Sequence, residues 1–270
     1  MGKARKRFSV FGALFLTFLG GGASPAHALV LDWDAVAWVN GSTNNSYDLN
    51  GDAINDITVA LTLQDQATWA ADPATGTQTP AVNQSLTGGL SPVQNALNLS
   101  ANLKTQSDVW VHLSFTGAQP GAADVSFTIF DIDVTTNADI ISTIVGIALD
   151  GTFVAATITN VGSAVTLTGT GWSQQLTGNA ASPDSGPGSS NGNATISFGS
   201  TIITDVFFLF SNTAGTHRFQ NIAIGDISFT PVPEMNPAIT AAASCIGAIV
   251  LTVLLQRRAR RARRARQTVR

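Results

Sequence analysis

The sequence predicts an all-β ectodomain, an antiparallel β-sandwich or jelly roll over residues 29–230, flanked by an N-terminal signal peptide and a C-terminal transmembrane helix. Three observations predict this fold class. Apolar and polar residues alternate with a period of two, as in half-buried strands. Thr, Val, Ile and Phe are abundant, which suits pleated surfaces. Gly, Asn, Ser and Pro separate many short apolar segments, a spacing typical of sandwiches.

The strands are predicted in chain order from this alternation. In 109–116 the apolar positions alternate with Trp110, His112 and Ser114, whereas 206–210 is apolar on both faces, as expected of a central strand. The remaining predicted strands are 29–39, 57–64, 124–134, 142–149, 152–159, 163–168, 194–199 and 219–229. The apolar phase slips within 124–134 and 219–229, which predicts a bulge or a strand that changes layers. Residues 65–107 predict long loops, with 94–103 nearest to a helical pattern.

Residues 1–28 predict a secretory signal peptide. A basic stretch precedes the apolar segment 8–19, which is too short to span a bilayer. Ala26 and Ala28 then supply the small residues of a cleavage site, so we expect the mature chain to begin at Leu29. An uncleaved N-terminal anchor is the alternative.

Residues 238–256 predict a transmembrane helix. Its uncharged run, 238–255, covers about 27 Å at ~1.5 Å per residue, close to the thickness of a hydrocarbon core. The Arg-rich tail 257–270 holds that flank in the cytoplasm and leaves the ectodomain outside. An RNA-binding arm is the alternative for this tail.

Val232-Pro233-Glu234, within the linker 231–237, precedes this apolar helix and Arg cluster. The arrangement resembles the PEP-CTERM sorting signal, although Met235 stands where the family has a second proline. The resemblance implies processing by an exosortase-like transpeptidase in a Gram-negative bacterium that makes exopolysaccharide. The motifs at 131–133 and 225–229 also resemble jelly-roll ectodomains of PEP-CTERM proteins and carbohydrate-binding modules. That resemblance implies a sandwich and contact with glycans, and it transfers no binding residue.

The ectodomain is strongly acidic. It contains sixteen Asp and no Glu, against only Lys104 and Arg218, so its formal charge is −14. This charge repels phosphate backbones and excludes nucleic acid as a partner, but it attracts divalent cations. The sole cysteine, Cys245, lies in the predicted span, so the ectodomain has no disulfide and no thiolate chemistry.

Two groups of residues predict calcium sites. The first combines hard oxygen ligands with a turn at Gly51 and comprises Asp48, Asn50, Asp52 and Asp56. Its alternative is an Asn/Gly-rich turn with solvated carboxylates. The second group comprises Asp131 and Asp133 on one strand face, closed by Asp226 from a neighbouring strand. Its alternative is a set of Asp residues at a sandwich rim.

Aromatic side chains are candidates for sugar stacking, and Trp69 and Trp172 are the predicted exposed pair because polar residues surround them. Catalysis is not expected, since the ectodomain has neither Glu nor Cys and no nucleophile or metalloprotease motif. We therefore expect a non-catalytic protein that is anchored in the inner membrane before processing and then occupies the cell surface or extracellular matrix, with extracellular polysaccharide as its partner. A calcium-dependent adhesion module and a glycan hydrolase are the alternatives.

Overall fold

The computed structural model describes residues 27–104, 107–117, 120–134, 137–179, 189–214 and 216–232. All of these residues belong to one compact unit, Pro25–Glu234. Within them no helix is both long and apolar enough to cross a membrane. The predicted transmembrane helix, the Arg-rich tail, Pro233, Glu234 and Ala26 lie outside the described residues.

The described residues form seventeen strands and one 3₁₀ turn, Gly171–Ser173. In chain order the strands are β1 Leu29–Leu31, β2 Asn44–Tyr47, β3 Ile57–Leu63, β4 Thr68–Trp69, β5 Ala81–Asn83, β6 Ala96–Leu103, β7 Val109–Phe115, β8 Ala122–Phe130, β9 Asp139–Ala148, β10 Phe153–Ala155, β11 Thr157–Thr159, β12 Val165–Thr168, β13 Gln175–Gly178, β14 Ala194–Ser197, β15 Ile203–Asn212, β16 Arg218–Ile224 and β17 Ile227–Pro231.

The strands pair into one sheet that curls into two facing layers, and every pairing between them is antiparallel. The first layer has the order β2-β3-β7-β15-β9, continued by β10 at one end of β9 and by β13 and β12 at the other. In the second layer β6 lies beside β16, and β1 lies beside β17. Next to β16 and β17 come β8, β14 and β11. A pairing of Ile203 with Ala122 joins the layers.

Aromatic rings from the two layers meet in the core. Phe127 of β8 stacks on Phe208 of β15 with ring centroids 5.9 Å apart, and Phe115 of β7 lies 5.1 Å from Phe229 of β17. The apolar positions of β7 are buried, as its alternation predicted. The antiparallel all-β fold class predicted from the sequence is therefore confirmed.

The segment 65–107 differs from the prediction, because it contains three strands rather than long loops alone. Residues 96–103 form β6, with an inward set of alternate apolar residues. Its outward side is also buried, because Asn98 donates to Asp72 and the backbone N–H of Ser100 donates to Thr79. The apolar residues of 97–103 alternate with polar ones, so the period of two was present in the sequence, and the helical interpretation of 94–103 was wrong.

Two predicted strands end at their phase slips. The strand predicted at 124–134 ends at Phe130, and Asp131 follows with a left-handed φ of 66°. The strand predicted at 219–229 is divided at 225–226 into β16 and β17. Gly225 is required there, because a Cβ would lie 2.8 Å from the Phe130 ring. The first slip thus corresponds to the end of a strand, and the second to a break at which the neighbour changes from β6 to β1.

Candidate functional site

The outer face of the first layer carries a continuous group of aromatic and apolar side chains. Strand register places His112 beside Phe207, and Trp110 beside Leu209, on β7 and β15. One row further, Asp205 of β15 pairs with Ile147 of β9, which pairs with Phe153 of β10. We call this surface the aromatic face, and its members are Trp110, His112, Phe153, Trp172, Phe207 and Leu209.

Among the described residues no second layer covers the aromatic face, although β15 is apolar on both sides. Residues 206–210 occupy the central position that their sequence predicted, between β7 and β9. Phe208 points into the core and is 1% exposed, whereas Phe207 and Leu209 point outward and are only partly buried. Trp110 beside them is 45% exposed. The outward apolar residues of a central strand therefore form surface here rather than core.

A histidine and an aspartate organise the centre of the face. The His112 ring stacks on the Phe207 ring with centroids 4.1 Å apart and an interplanar angle of 11°. His112 Nε2 and Asp205 Oδ1 are 2.7 Å apart and share a hydrogen bond. The stack and the hydrogen bond together fix the imidazole plane and hold a carboxylate next to two flat rings.

A bulge in β9 shapes the same region. Phe207 pairs with Val145 and Leu209 pairs with Ser142, so the register shifts between these two pairs. Thr143 lies within the bulge and has a left-handed φ of 53°. The bulge keeps Ser142 and Val145 on the outer face while Ile144 stays in the core.

Phe153 and Trp172 extend the face toward the edge of the first layer. Their ring centroids are 5.8 Å apart in an edge-to-face arrangement, and they are 55% and 61% exposed. With strands ~4.8 Å apart and ~3.3 Å per residue, Trp110 and Phe153 are on the order of 20 Å apart. The aromatic face is therefore long enough to contact several units of a linear chain.

A concave region lies on the outer face of the second layer and has a cavity volume of about 610 Å³. Its floor includes Thr128 and Thr195, whose hydroxyls are 3.1 Å apart. Asp226 lies in its wall, where burial raises the pKa of this carboxyl against a backbone hydrogen bond from Trp33. The aromatic rings that line this region, Phe127 and Phe130, are buried, so it offers no exposed ring to a ligand.

The first predicted calcium group forms a network of local hydrogen bonds. Asp48 accepts the backbone N–H groups of Gly51, Asp52 and Ala53. Asp56 accepts the Leu49 N–H, and the Asn50 amide donates to Asp52 and Asp56. The structure thus brings these four predicted ligands together in one turn, but several of their oxygens already accept hydrogen bonds.

The structure separates the second predicted calcium group. Asp226 Oδ1 accepts the Trp33 N–H, and Ile224 pairs with Ile129, so Asp226 lies level with the middle of β8. In an antiparallel pair this position is on the order of four residues, or ~13 Å, from Asp131. Asp131 and Asp133 therefore do not meet Asp226.

Asp139 joins Asp131 and Asp133 instead. Its Oδ2 accepts the Asp133 N–H, and all three side chains are 4% exposed or less. Burial, followed by the charge of Asp131, raises the pKa of Asp139 well above its ordinary value. The Asp139 Oδ1 atom is buried and accepts no hydrogen bond. Across the described part of the chain, no three His, Cys, Asp or Glu side chains already converge as a metal site.

Sequence reasoning missed Trp110 as a surface residue. Trp172 is 61% exposed, whereas Trp69 is partly buried against the core, and Trp33 is 1% exposed. Trp38 is also partly buried, with its indole N–H donating to Pro80. The signal for Trp110 was its polar-side position in the alternation of 109–116, opposite the buried Val109 and Val111.

The sequence matches no protein-family model and no curated relative. A solved structure of the family 11 carbohydrate-binding module from Clostridium thermocellum, in complex with a β-1,3-1,4-mixed-linked tetrasaccharide, is 13% identical; the match covers 72% of this chain and 98% of that one, with a TM-score of 0.31. The family 11 module of the cellulosomal cellulase Lic26A-Cel5E of Clostridium thermocellum is 12% identical over 79% of this chain and 99% of that one, with a TM-score of 0.32. At such TM-scores the likeness says nothing about the ligand of this chain.

Proposed function

We propose that this protein is a non-catalytic, exported protein of the cell surface or extracellular matrix that binds polysaccharide through the aromatic face. The observation that carries the proposal is the group of exposed rings on the outer face of the first layer, with Trp110 45%, Phe153 55% and Trp172 61% exposed. Large exposed apolar groups on a folded surface mark interaction sites.

Sugar rings suit this surface because they have two chemically different aspects. The C–H groups of a pyranose form an apolar face that packs against a flat aromatic ring, while its hydroxyls need hydrogen-bonding partners. Trp110 and Phe207 supply rings, and His112 and Asp205 lie on the same two strands as polar partners. Gln175 of β13 lies beside Ser142, which pairs with Leu209. The face therefore offers both kinds of contact in one place.

Export and sorting belong to the same proposal and rest on the sequence. Cleavage after Ala28 frees the ectodomain, and the helix 238–256 anchors the chain in the inner membrane. An exosortase-like transpeptidase then reads Pro233-Glu234 and releases the protein to the surface or matrix. This route brings the aromatic face to the compartment in which extracellular polysaccharide is found.

A calcium-dependent adhesion module is the second candidate, and the buried carboxylates of Asp131, Asp133 and Asp139 favour it. Three carboxylates this deeply buried are costly when ionised. A divalent cation would offset that cost through oxygen ligands of the kind calcium prefers. Glycan binding that persists in chelator would separate this candidate from the first.

The proposal is tested by affinity electrophoresis of the full-length protein, in detergent, through gels that contain a panel of soluble glycans. Trp110→Ala with Trp172→Ala should lose retardation in the gel that retards the wild type. Phe219→Ala is the matched control, because Phe219 is an aromatic residue 37% exposed on β16, in the second layer. Equal retardation of the double variant and the wild type would overturn the proposal, as would a panel in which no glycan retards the wild type.

A further inference from the structure

Carboxylates lie at the centre and at both ends of the aromatic face. Asp205 is bonded to His112 at the centre. Asp108 precedes β7 next to Trp110, where its side chain bonds to Ser211. At the opposite end Asp150, in the turn before β10, accepts hydrogen bonds from the hydroxyl and backbone N–H of Thr152. These bonds lower the pKa of Asp150, so its charge is present at neutral pH.

The basic residues of the ectodomain do not neutralise this surface. The ammonium group of Lys104 donates a hydrogen bond to the side-chain oxygen of Gln66. Arg218 begins β16 in the second layer, and in the ectodomain sequence it is the only other Lys or Arg. His112 is the nearest titratable base, and its Nε2 is already bonded to Asp205. An acidic sugar on the aromatic face would therefore meet like charge without a lysine or arginine partner.

We infer that the aromatic face selects glycans without acidic groups, and that Asp205 is the residue that excludes carboxylated or sulfated chains. This inference rests on the proposed function and specifies the ligand class of the same site. A glycan that stacks on Phe207 and Trp110 places its substituents beside Asp205, one row away on the same strand. Repulsion between the two anions falls with added salt, because the Debye length shrinks from ~10 Å at 0.1 M to ~3 Å at 1 M.

The test compares each neutral glycan that binds with its own carboxymethylated derivative, so that the sugar backbone is constant and only the charge changes. The measured quantity is the ratio of the two affinities for the full-length protein at low salt. For the wild type we expect the carboxymethylated chain to bind at least tenfold more weakly, and the difference to narrow at 1 M salt. For Asp205→Asn we expect the affinity for the carboxymethylated chain, relative to that for the neutral chain, to be roughly fivefold higher than in the wild type.

Asp124→Asn is the matched control. It removes the same charge from β8 in the second layer, where Asp124 is exposed and its carboxylate is 3.5 Å from the Thr230 hydroxyl. We expect this variant to keep the wild-type ratio. An equal change in both variants would overturn the inference, because it would show an effect of net charge rather than of Asp205. Wild-type binding of acidic glycans as tight as that of neutral ones would also overturn it and leave the proposed function standing, whereas binding of no glycan would refute both.

Discussion

Replacing Trp110 with alanine removes the largest exposed ring between β7 and β15. Trp110 is 45% exposed. For a side chain of tryptophan size this leaves on the order of 100 Å² open to solvent. A sugar covers one side of the ring, about half of that area, and burial at ~25 cal/mol/Å² gives about 1.3 kcal/mol. We therefore expect Trp110→Ala to weaken glycan binding roughly tenfold.

The variant should fold normally, because Trp110 points outward while Val109 and Val111 remain in the core. Isothermal titration with the best-retained neutral glycan measures the dissociation constant, and a thermal melt checks that the fold is intact. Phe219→Ala should bind like the wild type. The reasoning is refuted if Trp110→Ala binds as tightly as the wild type, or if Phe219→Ala loses the affinity instead.

Three further predictions concern cations, pH and sorting. If Asp139 is a calcium ligand, the melting temperature in saturating calcium should be about 5–10 °C higher than the melting temperature in chelator. Asp139→Asn should abolish this difference, whereas Asp48→Ala should keep it. Equal melting temperatures with and without calcium would exclude the site. Burial and the charge of Asp65 raise the pKa of Asp108. Because the pKa of Asp108 is higher in the folded than in the unfolded chain, its ionisation lowers the stability of the fold as the pH rises through these two pKa values. Asp108→Asn should therefore raise the melting temperature at pH 7 but not at pH 3. An equal gain at both pH values would contradict this. Changing Pro233-Glu234 to alanines should trap a longer form in the inner membrane, and an unchanged mature mass would show that the motif is not read.

The sequence was sufficient for the fold class because alternation is a local property. In β7 the alternate residues Val109, Val111, Leu113 and Phe115 are buried, as their positions predicted. The same alternation is present in β6, but it did not reveal that the polar side of this strand, with Asn98 and Ser100, is buried against Asp72 and Thr79. That burial depends on hydrogen bonds with residues distant in the sequence, which no local pattern reveals.

The candidate site was harder to predict because it depends on strand order. The sequence indicated that 206–210 is apolar on both sides, but not that its outer side remains partly exposed in the part of the chain that the structure describes. The neighbours of Phe207 come from β7 and β9, which are far from it in sequence. Asp139 was missed for a different reason, since its contact with Asp133 is local but the sequence does not show that the two carboxylates are buried together.

The location of the glycan is the central claim, and the indole N–H signals of the tryptophans test it directly. The chain has five tryptophans. Trp33 and Trp38 donate their indole N–H groups to Gly225 and Pro80, and Trp69 lies beside β6, all away from the aromatic face. In a ¹H–¹⁵N titration with a bound neutral glycan, we predict shifts of the Trp110 and Trp172 indole signals and constancy of the other three. Shifts at Trp33, Trp38 or Trp69 with Trp110 and Trp172 unchanged would contradict the account.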